Sequence, residues 1–442
     1  MVKLFPHQSE ALNSTSDKNR VAFYHDMGLG KTFTGGEKMI QLGASINLVI
    51  CQKSKIQDWL DHFKSNYATH DRDYMCEQLI FNLTNKKEYE WFLTECKCIS
   101  EDYQNLYPFY IVGVINYELA FRRPELAKLT DFTLMLDESS LIQNEQAKRT
   151  KFILNKLHPK NVILLSGTPT GGKYENLYSQ LKLLGWDISK TTYWNTYIEY
   201  HFEDFGGFPV KVVDSYKNVD RLKRKMREYG CHFLKTEDVL DLPDQIFTTV
   251  RVPVSREYRK FRKDRVIDVD GTTLVGDNTL TKMLYERQLC AQYSKAKLEA
   301  FRDLVESTED RLIVFYNFTS ELVELINVVA DLGKQQYSVV NGANKDLYYY
   351  EHNNSSVTFI QYQAGAMGLN LQKANKIIYY SPPLSSELYE QSKKRINRIG
   401  QERTCYYYNL TVTGSIEERI YKALAMRRDY TEALFEEEND ET

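Results

Sequence analysis

The sequence predicts an α/β protein of two lobes, each a parallel sheet covered by helices, and three observations carry that reading. Short continuous apolar runs recur along the chain: Asn47–Cys51, Phe109–Ile115, Phe132–Leu136 and Asn161–Leu165 in the first half, then Arg311–Tyr316, Tyr337–Val340, Val357–Gln361, Ile377–Tyr380 and Cys405–Leu410 in the second. Runs of that length without polar alternation suit strands buried on both faces of a parallel sheet. Helix-periodic segments such as Ile56–Phe63 separate them, and a glycine turn joins the run Val21–Phe23 to an amphipathic segment beginning at Phe33. Two series of runs imply two domains, 1–242 and 243–442, with 171–233 a helical projection from the first.

The chain's 442 residues, 42% of them hydrophobic, are enough for two or three packed cores. With 57 basic against 60 acidic residues the net charge is -3, so a polyanionic partner must be met by a local basic patch. Two stretches qualify, Arg221–Arg227 and Arg256–Arg265, each readable as a solvated helix face or as a phosphate contact. The seven cysteines are scattered. Only Cys96 and Cys98 are close, a weak metal pattern, and reduced, partly buried thiols are expected. No run of 18 apolar residues occurs, so an intracellular protein without a membrane partner is expected.

In the first lobe the turn His25-Asp-Met-Gly-Leu-Gly-Lys-Thr32 organises the chemistry. The first turn of the helix after it has free N–H groups and a positive dipole end, so the amides from Gly28 through Gly30 to Thr32 can face phosphate oxygens. Lys31 adds a charge on the β- and γ-phosphates, and the Thr32 hydroxyl reaches Mg²⁺. The strict pattern asks for glycine at position 25, where this chain has His25. Upstream, the Gln8 amide presents one donor and one acceptor edge, matching the N6/N7 face of adenine. The run Phe132–Leu136 ends in Asp137 and Glu138. At the carboxyl end of a strand beside the P-loop strand, Asp137 can hold Mg²⁺ and Glu138 can orient or deprotonate the attacking water. Ser166 and Thr168, on the turn after the next strand, can sense the γ-phosphate.

These pieces resemble the superfamily 2 helicase-like ATPases, and within them the SNF2 branch of DNA translocases. The phrases that carry the resemblance are LFPHQ at 4–8, DMGLGKT at 26–32, VICQKSKIQDW at 49–59, INYEL at 115–119, LDES at 136–139 and LSGTP at 165–169. Gln52 stands where the family usually has proline, and Ser139-Ser140 where it more often has a small residue and histidine. The resemblance implies two tandem RecA-like lobes, use of ATP with Mg²⁺, and DNA, ahead of RNA, as partner.

In the second lobe, Gln363–Leu371, with Gly368, resembles the family's nucleic-acid and inter-lobe coupling loop. Gln391-Ser-Lys-Lys-Arg-Ile-Asn-Arg-Ile-Gly-Gln401 matches a family signature that places Gln391 at the nucleotide. Arg395 and Arg398, three apart, are expected as neighbours on one helix face. There they can stabilise charge developing on a transferred phosphoryl group. The leading expectation is an ATP-dependent translocase on duplex or branched DNA, acting by fork regression, branch migration or displacement of bound proteins. A strand-separating helicase on DNA or RNA is the near alternative, and an ATP-gated scaffold subunit is the alternative of another class. Compactness and Asn/Tyr content point to the cytoplasm of a prokaryotic or phage-infected cell.

Overall fold

A computed structural model describes residues 3–67, 79–101, 111–204, 208–269, 271–334, 336–365 and 369–435. The chain divides into two compact units, the first Met1–Val239 together with Tyr430–Thr442 and the second Leu240–Asp429.

The first unit holds β1 (Arg20–His25), β2 (Ile46–Cys51), β3 (Leu79–Asn82), β4 (Ile111–Asn116), β5 (Thr133–Asp137) and β6 (Asn161–Leu165). A hairpin of β7 (Ile198–Asp204) and β8 (Pro209–Tyr216) precedes β9 (Cys231–Leu234). Seven strands form one parallel sheet in the order β3-β4-β2-β5-β6-β1-β9. Strand alternation sends Ala22, Tyr24, Leu48, Ile50, Leu134 and Leu136 to one face and Val21, Phe23, Val49, Cys51, Met135 and Leu165 to the other. Both faces are buried, which is why these strands read as continuous apolar runs. Three helices on this unit matter below: α1 (Pro6–Ser14), α2 (Lys31–Leu42) and α3 (Ile56–Tyr67).

Two features differ from expectation. The stretch 171–233 is not helical throughout. After helices Tyr178–Leu183 and Lys190–Tyr197 it turns into the β7–β8 hairpin, then helix Val219–Glu228, and it returns to the sheet as β9 beside β1. Both strands of the hairpin are largely exposed, so no apolar run marks them. Tyr200 of the hairpin and Trp194 of the preceding helix both pack on Lys211, whose Nζ lies 4.1 Å and 4.8 Å from their ring centroids. The second difference is the position of β5. It pairs with β2 and β6, so β6 lies between it and β1 and the acid pair does not end a strand next to the P-loop strand.

The second unit holds β10 (Gln245–Val252), a hairpin of β11 (Val266–Val269) and β12 (Thr272–Val275), then β13 (Leu312–Tyr316), β14 (Tyr337–Val340), β15 (Val357–Gln361), β16 (Lys376–Tyr379) and β17 (Cys405–Val412). Six of them form a parallel sheet in the order β10-β17-β16-β13-β15-β14. Two parallel, doubly covered sheets are the α/β architecture the apolar runs predict. Between β14 and β15 the only helix is the five-residue Tyr348–His352.

Among the described residues three acids are buried in this unit, Glu286, Glu321 and Glu417. Glu417 meets Lys297 at 2.5 Å with both side chains shielded from solvent. Glu321, on helix Thr319–Asp331, accepts from the Asn317 N–H at 3.0 Å and the Ser381 hydroxyl at 2.9 Å. Burial pushes the Glu321 carboxyl up to about 7, against those two hydrogen bonds. The folded state therefore holds a proton that the unfolded chain releases near pH 4.5. By linkage, this residue's contribution to stability falls as pH rises from about 4.5 to about 7 and is flat above that. Glu321→Gln is expected to stabilise the protein by about 3 kcal/mol at pH 8 and by under about 1 kcal/mol at pH 5. Urea unfolding at the two pH values checks this.

Candidate active site

Strand β1 ends at His25 and α2 begins at Lys31, so the glycine turn lies at the carboxyl edge of the sheet. Gly28 and Gly30 have φ of 88° and 72°, conformations that side chains rarely adopt. Gly30 has a second constraint: a Cβ there would lie 2.3 Å from Gln8 Nε2. That nitrogen donates to the carbonyls of Leu29 at 3.3 Å and Gly30 at 3.1 Å, while Gln8 Oε1 accepts the Phe5 N–H at 2.9 Å. Both edges of the Gln8 amide thus face protein, and α1 braces the turn through them. Lys31 folds back on the turn, its Nζ donating to the carbonyls of His25 at 2.9 Å and Asp26 at 3.2 Å.

The departure at position 25 now has a physical reason. His25 is the last residue of β1, fully buried, and no positive φ is required of it. Its Nε2 lies 2.9 Å from Nδ1 of His232 on β9, and burial, reinforced by the neighbouring His232, holds its pKa well below the usual histidine value. Asp26 is tied to the same side, its Oδ2 accepting both the N–H and the hydroxyl of Thr236 at 3.1 Å.

Asp137 ends β5, and Glu138 follows with φ 54° and ψ 60°. The Trp59 indole N–H donates to Asp137 Oδ2 at 2.9 Å. Tyr117 Oη donates to the carbonyl of Asp137 at 2.9 Å, and that of Glu138 lies 3.4 Å away. Burial raises the Asp137 pKa, and the Trp59 hydrogen bond and the Lys31 charge oppose it. Ser166 is buried and its hydroxyl accepts the Thr168 N–H at 3.2 Å. The same turn lies against the lysine: a Cβ on Gly167 would sit 3.4 Å from Lys31 Nζ.

Gln180 is a further buried connector that no sequence pattern singled out. Its Oε1 accepts the hydroxyls of Tyr24 at 3.0 Å and Ser139 at 2.7 Å, and its Nε2 donates to the Pro169 carbonyl at 2.8 Å. One amide thereby joins the P-loop strand, the residue after the acid pair and the turn bearing Thr168.

In the second unit Gln391 lies on helix Ser386–Lys393 and donates to Glu387 Oε1 at 3.2 Å. That helix stops at Lys393, so Arg395 and Arg398 stand on the turn after it and not on one helix face. The reason is competition for backbone groups. The Arg395 carbonyl accepts the Leu371 N–H at 3.1 Å, and the Gln401 amide donates to the carbonyls of Ala374 at 2.8 Å and Ile396 at 3.3 Å. Gly400, with φ 91°, cannot continue a helix. The Arg398 guanidinium donates to Asn370 Oδ1. Gly368 lies outside the described residues.

A family model described as the SNF2-related domain matches residues 7–295, well over half of the chain, and one described as the helicase conserved C-terminal domain matches 296–400. The chain belongs to the SNF2-related family. Each of its two units is built on a parallel sheet covered by helices. The chain is 23% identical over 467 residues to the ISWI chromatin-remodeling complex ATPase ISW1 of Saccharomyces cerevisiae, covering 95% of this chain and 39% of the yeast protein. It is 23% identical over 464 residues to the uncharacterized ATP-dependent helicase YqhH of Bacillus subtilis, covering 95% and 77%. Among solved structures, the Sulfolobus solfataricus SWI2/SNF2 ATPase core in complex with dsDNA aligns over 97% of this chain and 92% of that one, with a TM-score of 0.41 and 19% identity. This SNF2 chain thus spans well under half of its yeast relative.

The donor set fits a nucleotide with a hard cation. Among the described residues no cluster of three or more His, Cys, Asp or Glu forms a ready-made metal cage. Asp137 lies near enough to Lys31 to feel its charge, and a carboxylate together with a hydroxyl such as that of the adjoining Thr32 is a donor set that would fit a Mg²⁺ ion whose other ligands are phosphates and water. Among the described residues, too, no helix is long and apolar enough to cross a membrane, and the six cysteines are all free.

Proposed function

We propose that the protein hydrolyses ATP with Mg²⁺ to translocate along duplex or branched DNA. What carries the reading is the grouping, in one lobe of an SNF2 core, of the left-handed glycine turn with Lys31, the half-buried Asp137–Glu138 pair and the Ser166–Thr168 turn. The amides of the turn and the Lys31 ammonium receive the phosphates. Thr32 and Asp137 would hold Mg²⁺, which would supply positive charge against the phosphates. Glu138 orients and deprotonates the attacking water. Gln391 contacts the nucleotide, Gln8 does so by giving up the bonds its amide makes to Leu29 and Gly30, and Ser166 and Thr168 report the state of the terminal phosphate. Arg395 and Arg398 stabilise the charge on the transferred group. The phosphate-binding residues belong to the first unit and the two arginines to the second.

Backbone contacts should dominate DNA binding, making it salt-dependent and largely sequence-independent. The free cysteines fit a reducing cytoplasm, and we place the protein in a prokaryotic or phage-infected cell. The test is the ATPase rate with duplex, single-stranded and branched DNA and with RNA, alongside triplex displacement. Stimulation by duplex and removal of the third strand without strand separation are expected. Stimulation by RNA alone would overturn the DNA reading, and separation of a plain duplex would replace translocation by unwinding.

A further inference from the structure

We propose that Trp59 is a positioning residue for hydrolysis, fixing the Asp137 carboxylate in the orientation that binds the metal. The inference rests on the nucleotide-site reading above and extends it to a residue which that reading leaves without a role.

Trp59 lies on α3, 78 positions from Asp137 in sequence, and is 1% exposed. Its ring is locked on both sides, stacked on Phe63 at 5.6 Å and meeting His62 edge-on at 5.7 Å. A ring held in this way presents its one polar atom, a donor without acceptor capacity, in a fixed direction. That direction is Asp137 Oδ2, at 2.9 Å. An aspartate at the end of a strand can turn about its side-chain torsions. Committing one carboxylate oxygen to an immobile donor removes that freedom and leaves Oδ1 as the oxygen that meets a cation. Tyr117 acts in parallel on the backbone, through the carbonyl of Asp137, so carboxylate and main chain are restrained by different helices. Outer partners of metal ligands act in this way, and losing one costs about 10- to 100-fold in metal affinity.

The bland reading is that Asp137 merely satisfies a buried indole. The two readings differ in what the metal feels. Trp59→Phe keeps an aromatic ring and removes the N–H. A variant carrying benzothienylalanine at position 59 replaces the N–H by sulfur at constant shape, and serves if the phenylalanine leaves a void that unfolds the protein. Binding of Mn²⁺, followed by its electron paramagnetic resonance with a non-hydrolysable ATP analogue present, is expected to weaken about 10- to 100-fold in either variant. Affinity for the analogue without metal should be unchanged, and excess Mg²⁺ should restore kcat. If both variants bind Mn²⁺ like the parent while Asp137→Asn has lost it, Trp59 is packing only and the inference fails. If Asp137→Asn also binds Mn²⁺ normally, the nucleotide-site reading itself fails.

Discussion

Glu138→Gln is expected to bind ATP with near-parental affinity and to hydrolyse it about 10²- to 10⁴-fold more slowly, the usual contribution of a positioned general base. The substitution keeps the shape and removes the charge. Position 138 adopts φ 54°, and the Tyr117 hydroxyl holds the carbonyl ahead of it. Lys31→Ala should act differently. Lys31 is the ammonium next to both the turn carbonyls and the Ser166–Thr168 turn, and its loss removes charge that the phosphates need in the ground state as well as in the transition state. It should weaken ATP binding as well as turnover. Equilibrium binding of a fluorescent ATP analogue beside single-turnover hydrolysis separates the two effects. Near-normal turnover in either variant would remove the acid pair or the lysine from the chemistry.

The contrast with Gln180 shows which parts of such a site a sequence can disclose. Lys31, Asp137 and Glu138 are legible because each sits at a fixed offset from a strand that reads as an apolar run, and the offset itself is the signal. Gln180 and Trp59 make their contacts to residues 156 and 78 positions away, and a buried amide or indole has no local pattern that announces its partner. The same limit governs the fold. Strands buried on both faces, such as β2 and β4, were legible from composition alone, whereas β3, β9 and the β7–β8 hairpin are short or half-exposed and lack such runs. Strand order was beyond reach for a related reason. That β6 separates β5 from β1 depends on pairing between segments whose sequences are interchangeable runs of aliphatic residues.

Arg398→Ala is expected to lower kcat by about 10³- to 10⁵-fold, the range found for arginines that stabilise a transferred phosphoryl group, while ATP affinity stays within a few-fold of the parent. The turn geometry sharpens this expectation. On a helix, Arg395 and Arg398 would share a face and substitute for one another in part. On the turn that follows Lys393 they have separate surroundings: Arg395 is almost wholly buried with its carbonyl taken by Leu371, whereas Arg398 is half-exposed and its guanidinium donates to Asn370. Arg398 is therefore the one whose charge can move to a substrate by exchanging one hydrogen bond, and Arg395 is the one whose loss should also cost stability. Arg398→Lys should rescue little, since an ammonium cannot reproduce the planar fork. Asn370→Ala, which frees the guanidinium without removing it, should change kcat far less than Arg398→Ala. Should Arg398→Ala instead weaken ATP binding at an unchanged kcat, the arginine would belong to ground-state recognition and its role in the transition state would have to be given up.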